Sequence, residues 1–217
     1  VAKRLAFIHT SPVTIPVFGG LAQETMPEVD VFHMLDESLL KNTLAAGKLE
    51  KTTVRRLVGM VESAGEAGAD AVMVACSSIG PAVDVARQVV DFPVVRVDEA
   101  MAEEAVWAGE RIGVAATLES TLEPTVALIE SRAKDLGLDR KIVSRLCTGA
   151  FDAVLAGDAE THDRLVREGL ESLAAEADVI VLAQASMARV ADTLERRPVP
   201  ILSSPRSGVE NARKAIA

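Results

Sequence analysis

Ala69-Asp-Ala-Val-Met-Val-Ala-Cys-Ser-Ser-Ile-Gly80 has a counterpart later in the chain, Ala177-Asp-Val-Ile-Val-Leu-Ala-Gln-Ala-Ser-Met-Ala188, aligned without a gap at an offset of 108. Each copy opens with Ala-Asp, runs through a short apolar segment and ends in small and hydroxylic residues. A short apolar run bounded by turn residues is the pattern of a buried strand. One position separates the copies chemically: Cys76 in the first is Gln184 in the second. The likeness extends outward, because Arg4-Leu-Ala-Phe-Ile-His-Thr10 matches Arg111-Ile-Gly-Val-Ala-Ala-Thr117 at an offset of 107.

Between these strands lie helical patterns. Val54, Leu57, Val58 and Val61 recur at i, i+3, i+4 and i+7, predicting a helix over residues 50–65 with one buried stripe. Strands are predicted at residues 4–9, 29–35, 72–75 and 92–97, and again at 111–117, 141–146, 179–183 and 200–203. Helices are predicted at 21–26, 118–136, 154–175 and 205–217, and a helix is expected to follow Cys76 directly, with Pro81 in its first turn. The segment through Pro16, Gly19 and Gly20 is expected to be irregular, and residues 36–47 form a polar stretch. Strands alternating with helices imply parallel sheets covered on both faces. The expected fold is α/β: two pseudo-symmetric lobes, each a parallel sheet flanked by helices, with the active site in the interlobe cleft. Residues 1–98 plus 205–217 form the first lobe and 99–204 the second.

The totals narrow the function classes. The chain has 217 residues, 49% of them hydrophobic and 25% charged, the balance of a soluble globular protein. A net charge of −9 argues against nucleic acid as a partner, because phosphate binding needs clustered Lys and Arg. Aromatics are 3% of the chain and Tyr is absent, which removes the usual base-stacking platforms. No apolar run approaches the roughly 20 residues of a membrane span. The start, Val1 to His9, reads as a first strand and not an export signal, and two cysteines do not make a disulfide framework. A cytoplasmic location follows as the expectation.

Ligands in open α/β sheets bind beyond the carboxyl ends of the strands. That rule gathers His9, Thr10 and Ser11; Cys76, Ser77 and Ser78; Thr117; and Gln184, Ala185 and Ser186. Cys76 ahead of a helix start would have backbone N–H groups and a partial positive charge to lower its thiol pKa and attract an anion. Buried packing is the alternative for any strand-end cysteine. Thr10 and Thr117 are hydroxyl donors for a carboxylate, or else helix caps. His9 is a candidate proton-transfer group, or a hydrogen-bonded structural histidine. His33 reads as structural, His162 as solvated, Cys147 as packing, and Asp36 and Glu37 as loop charges. Thr148 and Gly149 could border the cleft. No His/Cys cluster has metal-ligand spacing and no glycine-rich phosphate loop appears, so no metal or cofactor is expected.

Val74-Ala-Cys-Ser-Ser78 with Val181-Leu-Ala-Gln-Ala-Ser186 resembles the paired cysteine loops of the aspartate/glutamate/hydantoin racemase superfamily, which includes maleate isomerase and arylmalonate decarboxylase. The resemblance covers nearly the whole chain. It implies cofactor-free chemistry at a carbon beside a carboxylate, with a small carboxylate or similar oxyanion as ligand, and a homodimer. In the racemases two thiols on opposite faces of that carbon remove and return a proton. Carried over, Cys76 matches the first-lobe cysteine and Gln184 falls where the second would be. A carboxamide does not exchange a proton usefully near neutral pH, so two-thiol racemisation is not available to this chain. Three routes stay open. Cys76 adds to an activated double bond as a nucleophile; or it protonates a carbanion after bond cleavage, as in a decarboxylase or lyase; or another residue, with His9 foremost, supplies the second base while Gln184 holds a substrate oxygen. A protein that binds a small anion without turning it over is the remaining alternative.

Overall fold

The computed structural model describes residues 2–194 and 198–217. In chain order the elements are β1 (Arg4–His9), α1 (Thr14–Thr25), β2 (Asp30–Leu35), α2 (Glu37–Ala46), α3 (Lys51–Glu66), β3 (Ala71–Val74), α4 (Ala82–Ala86) and β4 (Val94–Arg96). There follow α5 (Glu99–Ala108), β5 (Arg111–Ala116), α6 (Glu119–Asp135), β6 (Lys141–Leu146), α7 (Ala150–Leu155), α8 (Ala159–Ala174), β7 (Val179–Leu182), α9 (Ala188–Asp192), β8 (Ile201–Ser203) and α10 (Ser204–Ile216). Two compact units result, one running to Glu99 and including Pro205–Ala217, the other Ala100–Ser204.

In the first unit the sheet order is β2-β1-β3-β4, every pairing parallel. Side chains alternate between its faces, as strand geometry requires. Ala6, Ile8, Val72 and Val74 join Leu57 and Val61 of α3 in one apolar layer. Leu5, Phe7, Ala71 and Met73 join Phe18 of α1 and Val209 of α10 in the other. A sheet buried on both faces accounts for the near-continuous apolar runs of β1 and β3. The second unit repeats the plan with order β6-β5-β7-β8, also parallel. Ile112, Val114, Val179 and Val181 face one layer, and Ala115, Ile180 and Leu182 the other.

The Ala-Asp opening of each repeat has a local cause. Asp70 Oδ2 accepts a hydrogen bond from the Arg4 backbone N–H at 2.8 Å, and Asp178 Oδ2 accepts from the Arg111 N–H at 2.9 Å. Each carboxylate thus satisfies the amide at the start of the neighbouring first strand, ahead of the parallel ladder.

Several expected elements shift. The segment through Pro16, Gly19 and Gly20 is helical from Thr14, with Pro16 in the first turn, where its missing N–H costs nothing. The polar stretch after β2 is α2, capped by the Asp36 carboxylate, which accepts from the Ser38 N–H at 2.9 Å. Asp36 is therefore a helix cap and not a loop charge. The helix expected over 154–175 is two helices, parted where Gly157 takes φ +77°. Helix α5 is an addition to the elements the sequence pattern predicts. Among the described residues no helix is long and apolar enough to cross a membrane.

Candidate active site

Cys76 lies two residues beyond the end of β3 with extended backbone (φ −147°, ψ 115°) and is followed by a single 3-10 turn, Ser77–Ile79. The turn folds the chain back over the sulfur. The Thr10 hydroxyl and the backbone N–H groups of Ile79 and Ser78 all hydrogen-bond the thiol. Thr10 reaches it because β1 and β3 are adjacent, with Ile8 in register with Val74. Thr10, Ser77 and Ser78 are buried and Ser11 is half-buried.

The expectation of a lowered thiol pKa is corrected. Burial pushes the Cys76 thiol up; the Thr10 hydroxyl and the Ile79 and Ser78 amides oppose that, and the Asp98 charge adds to it. The physical reason is that a three-residue turn presents two amides but no long helix dipole, so desolvation of the charged form wins. Cys76 therefore rests protonated at neutral pH.

Asp98 belongs to a buried charged group that no sequence motif marks. Arg96 and Asp98, 4% and 0% exposed, form a two-pronged ion pair, Nε to Oδ1 and Nη2 to Oδ2 both at 3.1 Å. Behind it, Glu99 takes two hydrogen bonds from Arg87 at 2.8 and 2.7 Å. The available signal was a run of charges, Arg96-Val-Asp-Glu99, at the end of an apolar strand.

His9 is not placed as a second base. It is completely buried, with both ring nitrogens engaged: Nδ1 with Thr14 Oγ1 at 2.7 Å and Nε2 with His33 Nδ1 at 2.9 Å. Thr14 gives its own proton to the Ser11 carbonyl at 2.8 Å, so its oxygen accepts from His9 Nδ1–H. His9 Nε2 then accepts from His33 Nδ1–H, and the network fixes both tautomers. Burial, with the His33 charge second, lowers the His9 pKa to about 4. His9 stays neutral and ties the loop after β1 to β2.

In the second unit Gln184 occupies the place that Cys76 holds in the first, two residues past β7 and ahead of a 3-10 turn, Ala185–Met187. Its Oε1 accepts from the Thr117 backbone N–H at 2.6 Å and the Thr117 hydroxyl at 3.0 Å. Thr10 beside Cys76 and Thr117 beside Gln184 are thus equivalent placements, with a thiol in one unit and a carboxamide in the other, the Thr117 backbone N–H joining its hydroxyl in the second. Ala185 is half-buried and Ser186 exposed.

The remaining candidates resolve on packing. Cys147 is 5% exposed in an apolar layer, and burial raises its pKa. A Cβ on Gly169 would lie 2.6 Å from its sulfur, so glycine there makes room for it. His162, expected to be solvated, is buried at 1% exposure with Nδ1 on Asp163 at 2.8 Å. A cavity of about 660 Å³ lies in the second unit beside α8 and β8, lined by Leu170, Ala174, Ile180 and Val199, and contains none of the site candidates.

Comparison with known proteins accords with this architecture. The family model described as Asp/Glu/Hydantoin racemase matches residues 13–212. Over 173 residues, 78% of this chain and 70% of the relative, the sequence is 26% identical to a hydantoin racemase of Rhizobium meliloti. A hydantoin racemase of Pseudomonas sp. (strain NS671) is 25% identical over 170 residues, covering 77% of this chain and 66% of the relative, just under two thirds of its length. The crystal structure of a glutamate racemase isoform from Bacillus anthracis superposes with a TM-score of 0.77 at 18% identity, covering 98% of this chain and 80% of that one. The fold, the repeated strand-end loops and the match to nearly the whole chain lead to one conclusion: this protein belongs to the Asp/Glu/hydantoin racemase family of isomerases.

Proposed function

We propose that the protein is a cofactor-independent isomerase that works on a small carboxylate or a similar oxyanion through one thiol, Cys76. The observation that carries this reading is the asymmetry of the two threonine contacts. Thr10 and two backbone amides hold a thiol, whereas Thr117 holds a carboxamide. In this reading Thr10, Ser11, Ser77 and Ser78 supply hydroxyl and amide donors to the substrate's oxyanion, close to the sulfur. Gln184 offers hydrogen bonds but no transferable proton. The hydantoin racemase relatives put hydantoins beside amino acids and dicarboxylates as the first substrates to try.

A second reading is favoured by one observation. A thiol held protonated by burial is suited to giving a proton to a carbanion, the step that ends a decarboxylation or other bond cleavage. Turnover in deuterium oxide separates the readings. Exchange at the α-carbon of unchanged substrate marks racemisation, deuterium found only in a shortened product marks a lyase, and cis–trans conversion without exchange marks thiol addition. Cys76→Ser should lower any of these at least about a hundredfold, the scale of removing a positioned acid or base. Full activity in that variant retires the mechanism. Ligand-induced thermal stabilisation without turnover of any candidate would leave a binding protein.

A further inference from the structure

We propose that the buried Arg96–Asp98 ion pair is a positioning device for the Cys76 thiol: Arg96 packs against the turn whose amides hold the sulfur, and Asp98, offset by Arg96, sets the electric field at it. The inference rests on Cys76 being the reacting thiol. The register supplies the first part of the argument. Val74 pairs with Arg96, and the Val97 N–H continues the ladder to the Val74 carbonyl at 3.2 Å, so two residues further along Asp98 comes opposite Cys76. Strand alternation puts Val72, Val74 and Cys76 on the same face as Val94, Arg96 and Asp98. Cys76 and Val94 do pack in the same apolar layer.

The second part is a contact. A Cβ on Gly80 would lie 2.6 Å from Arg96 Nη2 and 2.7 Å from Nε. The guanidinium therefore fills the space beside Gly80, at the C-terminal end of the Ser77–Ile79 turn that carries both amides to the sulfur. An ion pair this buried gives little net stability for its desolvation, so stability alone is a weak account of its presence.

The third part is the repeat itself. At the same offsets the second sequence repeat has Ser203 for Arg96, Pro205 for Asp98 and Ala188 for Gly80. The charge pair and the glycine that accommodates it occur together in the unit with the thiol, and neither occurs in the unit with the carboxamide.

Other charged groups on the elements flanking the turn are themselves paired: Asp84 of α4 with Arg87, and Asp36 at the start of α2 with Arg56. Glu99 is held by Arg87. Glu37 and Lys41 of α2 pair with each other in solvent, and Arg206 of α10 pairs with Glu24. His9 is neutral at and above pH 6.

The test is the pH dependence of iodoacetamide labelling of Cys76 in the full chain, located by peptide mass. Asp98→Asn removes the negative charge and leaves Arg96 unopposed. Its profile should move to lower pH by at least about half a unit, roughly threefold faster labelling at pH 7. Arg96→Met leaves Asp98 unopposed, and its profile should move by a similar amount to higher pH. Arg96→Lys, which keeps the charge, should fall near the parent. Opposite shifts are not produced by loosened packing, which speeds labelling in both variants. Shifts of the same sign, or none, overturn the proposal. If Arg96→Met does not fold, the near-isosteric Asp98→Asn decides it alone, an unmoved profile being the negative result. Labelling needs no turnover, so its outcome is separate from whether Cys76→Ser abolishes activity.

Discussion

The carboxamide oxygen of Gln184 accepts two hydrogen bonds from Thr117, one from the backbone N–H at 2.6 Å and one from the hydroxyl at 3.0 Å. Gln184→Leu would leave that buried amide without its acceptor, at a cost of about 1–3 kcal/mol by chemical denaturation. Gln184→Cys puts a thiol where the Thr117 hydroxyl can hydrogen-bond it, as Thr10 does Cys76. It should fold, and α-proton exchange in deuterium oxide should rise above the parent's.

Gly80 and Ala188 occupy equivalent positions with opposite demands. Gly80→Ala drives a methyl into the Arg96 guanidinium and should cost about 1–3 kcal/mol, the range for overpacking a buried site. Ala188→Gly creates no clash; it gives up a half-buried methyl on the second apolar layer and the helical advantage of alanine, at about 1 kcal/mol. Urea denaturation of both variants checks the contrast.

The buried histidine pair predicts a sign for the acid limb of stability. His9 has a folded pKa of about 4 against an ordinary 6.5, and burial lowers that of His33 too. The unfolded chain binds the proton more readily, so stability is whole above about pH 6.5 and falls as pH drops toward 4, flattening below it. For His9 the loss across that window is about 3 kcal/mol. His9→Asn should flatten the curve between pH 6.5 and 4 when Tm is followed against pH. A parallel curve would show that the histidine is not its cause.

The two Asp residues that open the repeats should behave alike. Asp70→Ala and Asp178→Ala each remove the acceptor for a first-strand amide, Arg4 in one case and Arg111 in the other. Both sites are solvent-accessible, so water partly replaces the carboxylate. A loss near 1 kcal/mol in each is expected by denaturant unfolding.

The sequence by itself determined the repeat, the eight strands and the equivalence of Thr10 with Thr117 and of Cys76 with Gln184; that each threonine contacts its unit's strand-end residue came from the fold. The repeat, the strands and the equivalences are consequences of local pattern: apolar runs of strand length, bounded by small residues and repeated at a fixed offset, admit few other arrangements. The sequence placed helix boundaries less well, because α1 starts at Thr14 without a side-chain cap and α2 starts on the Asp36 cap, neither of which periodicity registers. Only the tertiary structure decided the electrostatics. Whether the Cys76 pKa rises or falls depends on burial competing with three hydrogen bonds and on Asp98, more than 20 residues away in the chain but brought near it by the pairing of β3 with β4. His9 was legible as a strand-end histidine, but its tautomer and depressed pKa come from His33 and Thr14, brought to it by the fold. Desolvation and charge proximity are properties of three-dimensional neighbours, and a linear pattern carries them only where strand register can already be counted.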